Sequence, residues 1–210
     1  MSEPSPTRIA LIRHGETKWS LQRRHTGRTN IPLDEAGRRK AVELRPVVAR
    51  VPGIEDAVVY VSPLRRARDT ADLAGVGGHA IVCDDLLEWD YGIYEGRRTS
   101  DIRRMIPGWS VWTNPIVGGE TMEQVGARAD RMIARALERP GLTVMVAHAH
   151  ILRILAARWC GLAPSGGQIF TLHAASLSVL GHEREVQVIE HWDLVPELCS
   201  APSPDQPLPS

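Results

Sequence analysis

Ile9-Ala10-Leu11-Ile12-Arg13-His14-Gly15 decides how this chain is read. Four consecutive apolar residues behind a polar Pro/Ser leader suit a fully buried strand better than an amphipathic helix. The run ends in an arginine, a histidine and a glycine, so reactive side chains begin where the strand stops.

The same pattern recurs downstream. Ala57-Val58-Val59-Tyr60-Val61 is a second buried-strand run, and Ser62-Pro63 behind it reads as a helix start, with serine as N-cap and proline at the first helical position. Leu64, Ala67, Ala71 and Ala74 follow at helical spacing. Between the two strands, Asp34 caps a helix with Ala36, Ala41 and Leu44 facing inward, which Pro46 kinks or ends near Arg45. Ile81-Val82-Cys83 makes a shorter third strand, and Thr99 to Ile106 a short helix stopped by Pro107-Gly108. Thr121 with Gln124 forms a capping box before a long helix whose buried stripe is Met122, Val125, Ala129, Met132, Ile133, Ala136 and Leu137. Leu142 to Ala147 is another buried strand, followed by His148, His150 and an apolar helix through Cys160 and Gly161. Ser176 to Leu180 and Val186 to His191 read as two strands joined by a polar turn.

Alternating strands and helices predict a three-layer α/β/α sandwich with a mostly parallel central sheet and one antiparallel edge strand. In such sheets ligands bind beyond the carboxyl ends of the strands, where helix N-termini also point. The residues there are Arg13-His14-Gly15, Ser62 leading to Arg66, and His148.

Composition narrows the function. The 210 residues suffice for one domain with a substantial core, and 43% apolar with 24% charged residues match a globular protein, not a collagen-like, disordered or coiled-coil chain. Twenty-five basic residues balance twenty-five acidic ones, so no overall field favours nucleic acid and any bound anion is expected to be small. Apart from Lys18 and Lys40 the basic residues are arginines, a bias that codon usage or bidentate phosphate recognition would each produce. Cys83, Cys160 and Cys199 are widely spaced and form no C-x-x-C pair, which argues for reduced thiols over disulfides or a thiolate zinc site. Met1 to Thr7 carries no apolar signal region, and no run approaches the roughly 18 apolar residues of a membrane span, so no membrane partner is expected and the cytoplasm is the expected address. The domain is expected over residues 8–195, between a disordered leader (1–7) and a disordered tail (196–210) with five prolines.

Cleaving a phosphate monoester requires donors around its oxygens and a nucleophile in line with the scissile bond. Arg13 and Arg66 offer forked donors, neutral His14 is a competent nucleophile, and protonated His148 would stabilise charge on the transferring group. Gly15 would leave the backbone accessible beside the phosphate. A solvated helix arginine fits Arg65 and Arg68, which have Asp69 and Asp72 four residues on; Arg66 faces Thr70 there. His148 and His150 form an H-x-H pair that would also suit a metal, although the arginine on the first strand would repel one. In Leu87 to Gly96, Glu88 beside Trp89 and Tyr91 would be partly desolvated and able to protonate a leaving alkoxide. A capped surface turn is the other reading of that loop and suits Glu95 better.

Taken together these segments resemble the histidine phosphatase, or phosphoglycerate mutase-like, superfamily. Arg13-His14-Gly15-Glu16-Thr17 resembles its R-H-G-E-T signature, Ser62 to Thr70 its S-x-L-x-R-A-x-x-T, Leu87 to Gly96 its proton-donor segment, and Ala147-His148 its second histidine. The resemblance implies His14 as nucleophile, Arg13 and Arg66 as phosphate ligands, Glu88 as proton donor and His148 as a further catalytic residue. Ser20, Arg24, His25 and Thr26, on the loop after the signature, are expected to contact substrate. Two departures stand out: Ala149 replaces the glycine usual after the second histidine, and Ser20 replaces an asparagine usual in mutases. The segment from Gly96 to Gly118 is short beside the lid of mutases, which favours hydrolysis in the manner of acid phosphatases and sugar-bisphosphatases. The implied substrate is a small phosphorylated metabolite such as a sugar phosphate, with no cofactor and no metal; a homo-oligomer is left open. A bisphosphoglycerate-dependent mutase and a non-catalytic phosphoester-binding module are the alternatives.

Overall fold

The computed structural model describes residues 6–196, so the expected leader and tail lie largely outside the described residues. Six strands, β1 (Arg8–Arg13), β2 (Val58–Val61), β3 (Ile81–Val82), β4 (Leu142–Ala147), β5 (Leu177–Glu183) and β6 (Val186–Leu194), form one sheet in the order β3-β2-β4-β1-β5-β6. The pairs from β3 to β1 are parallel, and β5 pairs antiparallel with both β1 and β6. The one reversed strand is therefore β5, which lies one place in from the edge, because the β5–β6 hairpin turns the chain back outside it.

Successive side chains of a strand point to opposite faces, and β1 shows what this does to an all-apolar run. Ile9 and Leu11 enter a core shared with α6 (Met122–Leu137) and α7 (Ala149–Trp159), while Ala10 and Ile12 enter the opposite core with Leu44, Val48, Ala67 and Ala71. That second face is covered by α2 (Glu35–Glu43), α3 (Arg45–Val48) and α4 (Arg65–Leu73). Two further helices, α1 (Lys18–Leu21) and α5 (Thr99–Met105), belong to the loops beyond the strand ends. No helix among the described residues is long and apolar enough to cross a membrane.

The helix signals are realised except at two points, one of them Leu137, expected in the buried stripe of α6 but exposed in its last turn. Asp34 accepts the Gly37 N–H at 2.7 Å as N-cap of α2, Pro46 lies in the first turn of α3 directly after α2 ends, and the Thr121–Gln124 capping box closes in both directions. Ser62, by contrast, does not cap α4: the helix starts at Arg65 with Leu64 as N-cap. The Ser62 hydroxyl is held instead by His148 at 2.7 Å, a contact across 86 residues that no local pattern announces.

The segment after β1 runs against the first turn of α2 at backbone contact. A Cβ at Gly15 would overlap the Gly37 carbonyl, and one at Gly37 would overlap the Glu16 backbone. The Gly15 N–H is bound by the Thr70 hydroxyl at 3.0 Å, so this glycine serves packing against α2 and α4 and its N–H is not left open for phosphate. Gly37→Ala is expected to destabilise the fold by about 1–3 kcal/mol through overpacking, read as a lower urea midpoint at unchanged m-value.

Candidate active site

Parallel register sets three strand ends side by side. Arg13 pairs with Ala147 and Val61 with Val146, so His14, His148 and Ser62 emerge as neighbours at one edge of the sheet. The His14 N–H binds the Ala147 carbonyl at 3.0 Å and the Ser62 N–H binds the Val146 carbonyl at 3.0 Å, which extends the ladder one residue past each strand. The His14 and His148 rings lie 5.0 Å apart, edge to face.

His14 is poised as a base. Its Nδ1 lies 2.6 Å from the Gly15 carbonyl, an atom that only accepts, so Nδ1 carries the proton and Nε2 keeps a lone pair. Burial, and then the positive charges of Arg66 and Arg13, hold its pKa well below the usual histidine value.

His148 differs from the expectation of a protonated group. Its Nδ1 accepts the Arg66 Nε–H at 3.1 Å, leaving Nε2–H to donate to Ser62. Burial and the adjacent Arg66 hold this ring neutral, its pKa well below the usual value. The H-x-H pair does not converge either, for His148 caps α7 and binds Ser62 while the His150 Nδ1 is bound by the Tyr91 hydroxyl at 2.7 Å.

A cavity of about 210 Å³ opens at these strand ends, lined by Arg13, His14, Thr17, Ser20, Arg23, Arg24, His25, Thr26, Glu88, Tyr91, Ala149 and His150. Its wall carries three arginines against one carboxylate, a field that suits a small anion. Arg66 and His148, fully buried, stand behind His14 and are not part of the wall. The Arg66 guanidinium donates to the carbonyls of Thr26, Gly27 and Thr29, which ties the loop carrying Arg24, His25 and Thr26 to α4. Arg13 donates Nη1 to the Leu172 carbonyl, and its buried Nε has no partner among the described residues.

Glu88 reaches the wall from a loop after β3. Its carboxylate accepts N–H bonds from His150 and Ile151, in the first turn of α7, and from Trp89, at 2.9–3.1 Å. The aromatic surroundings expected from Trp89 and Tyr91 are thus only half of its environment; a helix N-terminus supplies the rest. Behind it, Arg128 donates to the Asp85 and Leu87 carbonyls at 2.7 Å and pairs with Glu120 at 2.8 Å, clamping the loop. Burial of Glu120 is outweighed by its bonds from Arg128, so its pKa lies below the usual carboxylate value.

Among the remaining expected contacts, the Ser20 hydroxyl closes the capping box of α1 with Thr17. Arg24 binds the Gly96 carbonyl at 2.8 Å, Thr26 donates to the Arg24 carbonyl at 3.1 Å, and His25 meets Thr99 at 3.1 Å. Ala149 sits at the first helical position of α7 with ordinary backbone angles, so the methyl group that replaces hydrogen there is accommodated. Glu95 accepts the N–H groups of Gly27 and Thr29, the turn-capping role that suited it. Thr70, Arg23 and the Glu120–Arg128 pair are parts of this architecture to which the sequence reading gave no role, and the bond from Tyr91 to His150 was not foreseen. Thr70 alone had a usable signal, as the last residue of the S-x-L-x-R-A-x-x-T string.

Residues 9–195 match the family model described as histidine phosphatase superfamily, branch 1. The chain belongs to the histidine phosphatase superfamily. It is 41% identical to an acid phosphatase of Mycobacterium tuberculosis over 182 residues, which cover 86% of this chain and 89% of that protein. It is 34% identical to the sedoheptulose 1,7-bisphosphatase of Saccharomyces cerevisiae over 189 residues, covering 76% of this chain and 70% of that one. A solved structure of an open-reading-frame product from Mycobacterium tuberculosis superposes with a TM-score of 0.85 at 39% identity, covering 90% of this chain and 98% of the other. This histidine phosphatase is a phosphoric monoester hydrolase, and transfer through a phosphohistidine is general to its superfamily.

Among the wall residues His25 offers a clean pH measurement, because burial lowers its pKa from 6.5 to about 4. Between those values the unfolded chain binds a proton that the folded chain does not, so stability falls as pH falls through this window. His25→Phe is expected to reduce proton uptake on unfolding at about pH 5 by about one proton, read from the pH dependence of the unfolding free energy. An unchanged slope would contradict a buried neutral His25.

Proposed function

We propose that this enzyme hydrolyses small phosphate monoesters of the sugar-phosphate type, with His14 as nucleophile, Glu88 as acid and then base, and Arg13, Arg66 and His148 as the phosphate-stabilising set. The observation that carries the reading is the His14 Nδ1–Gly15 carbonyl bond, which leaves Nε2 unprotonated toward a cationic cavity.

His14 Nε2 attacks phosphorus as the ester P–O bond breaks, and Glu88 gives a proton to the departing alkoxide. In this reading Arg13, which lines the cavity, is the arginine that takes a phosphoryl oxygen directly. Arg66 and His148 act from behind His14; for Arg66 to bind an oxygen directly it exchanges one of its loop carbonyls. The neutral His148 supports this set as a donor rather than as a cation, and to bind an oxygen directly its Nε2–H exchanges its bond to Ser62. Water, deprotonated by Glu88, then attacks phosphohistidine and restores Nε2. Ser20, Arg24, His25 and Thr26 form the part of the wall that meets the rest of the substrate.

The segment after Gly96 supports hydrolysis over isomerisation. It folds as α5 and a loop fastened by the buried Ile102, Trp109, Val111 and Ile116, and it adds no residue to the cavity wall. The expected cytoplasmic location and the domain span of 8–195 belong to this reading as expectations, and a homo-oligomer stays open.

His14→Ala is expected to lower phosphate release by at least about a thousandfold, and retention of a tenth of the rate would remove His14 as nucleophile. Glu88→Gln is expected to cost about 10²–10⁴-fold on alkyl phosphates and far less on p-nitrophenyl phosphate, whose leaving group departs without a proton. Equal losses in kcat/KM, which reports the steps up to phosphohistidine formation and not the later attack of water, would assign Glu88 another role.

A further inference from the structure

His150 lines the cavity, yet none of the steps above uses it. It stands at the second position of α7, packed among Trp89 (centroids 6.2 Å), Tyr91 (5.8 Å) and Trp112 (5.2 Å), so its ring orientation is fixed. Burial and the nearby Arg153 keep it uncharged, its pKa well below the usual histidine value. Burial, with Glu88 adding to it, pushes the Tyr91 phenol well above its ordinary pKa, so that group keeps its proton.

Those two facts settle the tautomer. The Tyr91 hydroxyl has one protein partner among the described residues, the His150 Nδ1 at 2.7 Å. Were Nδ1 the donor, the buried phenolic proton would have no acceptor, so Tyr91 donates and the ring proton resides on Nε2. Nε2–H in turn has no protein partner among the described residues. The same residue gives its backbone N–H to Glu88 at 3.1 Å, and its Nδ1 lies 3.9 Å from the same carboxylate oxygen. His150 therefore stands beside the group that protonates the leaving oxygen, on the leaving-group side of the cavity.

We propose that His150, oriented by Tyr91, is a specificity-determining residue whose Nε2–H binds a hydroxyl of the leaving group close to the ester oxygen. An uncharged donor held in one tautomer distinguishes an oxygen from a methyl or methylene, whereas the wall arginines respond to charge. The substrate class that follows is a polyhydroxy alkyl phosphate, in preference to a plain alkyl phosphate of the same length. Tyr91, itself in the cavity wall, is the residue that positions His150. This inference rests on the phosphatase reading above and refines its substrate.

The test compares kcat/KM for glycerol 3-phosphate with that for n-propyl phosphate, which has the same carbon chain without hydroxyls. The wild-type ratio is expected to be at least about tenfold. The paired variant Tyr91→Phe/His150→Phe removes donor and acceptor together and keeps an aromatic ring at each position, so no polar group is left unpaired; its ratio is expected to fall to about twofold or less. His150→Gln, which restores an N–H near the Nε2 position, is expected to recover part of the ratio, a result that a packing role would not give. Should the paired variant fail to fold, Tyr91→Phe alone is expected to lower the ratio at least about threefold. A wild-type ratio below twofold, or a ratio unmoved in the variant read, overturns the proposal. No phosphate release from either ester or from p-nitrophenyl phosphate by the wild type would sink the phosphatase reading instead.

Discussion

One hydrogen bond orders the rest of the site: the His14 Nδ1–H held by the Gly15 carbonyl at 2.6 Å. An imidazole free to choose its tautomer would present a nucleophilic nitrogen only part of the time, and one beside a carboxylate would tend to be protonated. Here the adjacent carbonyl fixes the proton on the far nitrogen, and burial with Arg66 and Arg13 disfavours a second proton. The same arginines that make the site attractive to phosphate therefore also keep its nucleophile uncharged before substrate arrives.

That arrangement depends on rigid neighbours. Gly15 holds its carbonyl in place because its own N–H is bound by Thr70, and Thr70 in turn donates to the Arg66 carbonyl one helical turn back. Arg66 fastens the 26–29 loop and orients His148. On the other side of the cavity Glu88 is seated on the N-terminus of α7 and clamped through Arg128 and Glu120, so the proposed acid, like the nucleophile at the end of β1, is fixed to the packed framework.

Much of the molecule was legible because its local signals and its tertiary packing agree. The apolar runs around Leu11, Val59 and Val144 became central strands, and the Asp34 and Thr121 caps opened helices where expected. The Ser62 cap failed because a buried histidine 86 residues away claimed the hydroxyl. The charge of His148 was misjudged for a related reason: its type was visible in the sequence, but its state is set by burial and by an arginine from α4.

What the sequence by itself determined is the alternation of strands and helices, the placing of Arg13, His14, Arg66 and His148 at strand ends or just beyond them, and the family to which these motifs belong. Those are properties of period, punctuation and residue identity over a few positions. Only the tertiary structure decided which nitrogen of each histidine carries a proton, that Arg66 faces loop carbonyls, that Glu88 sits on a helix terminus, and that Tyr91 holds His150. Except for the His14 bond, these contacts join residues 37 to 82 positions apart. Sheet register and layer packing bring such residues together, and neither is written in any short stretch of chain.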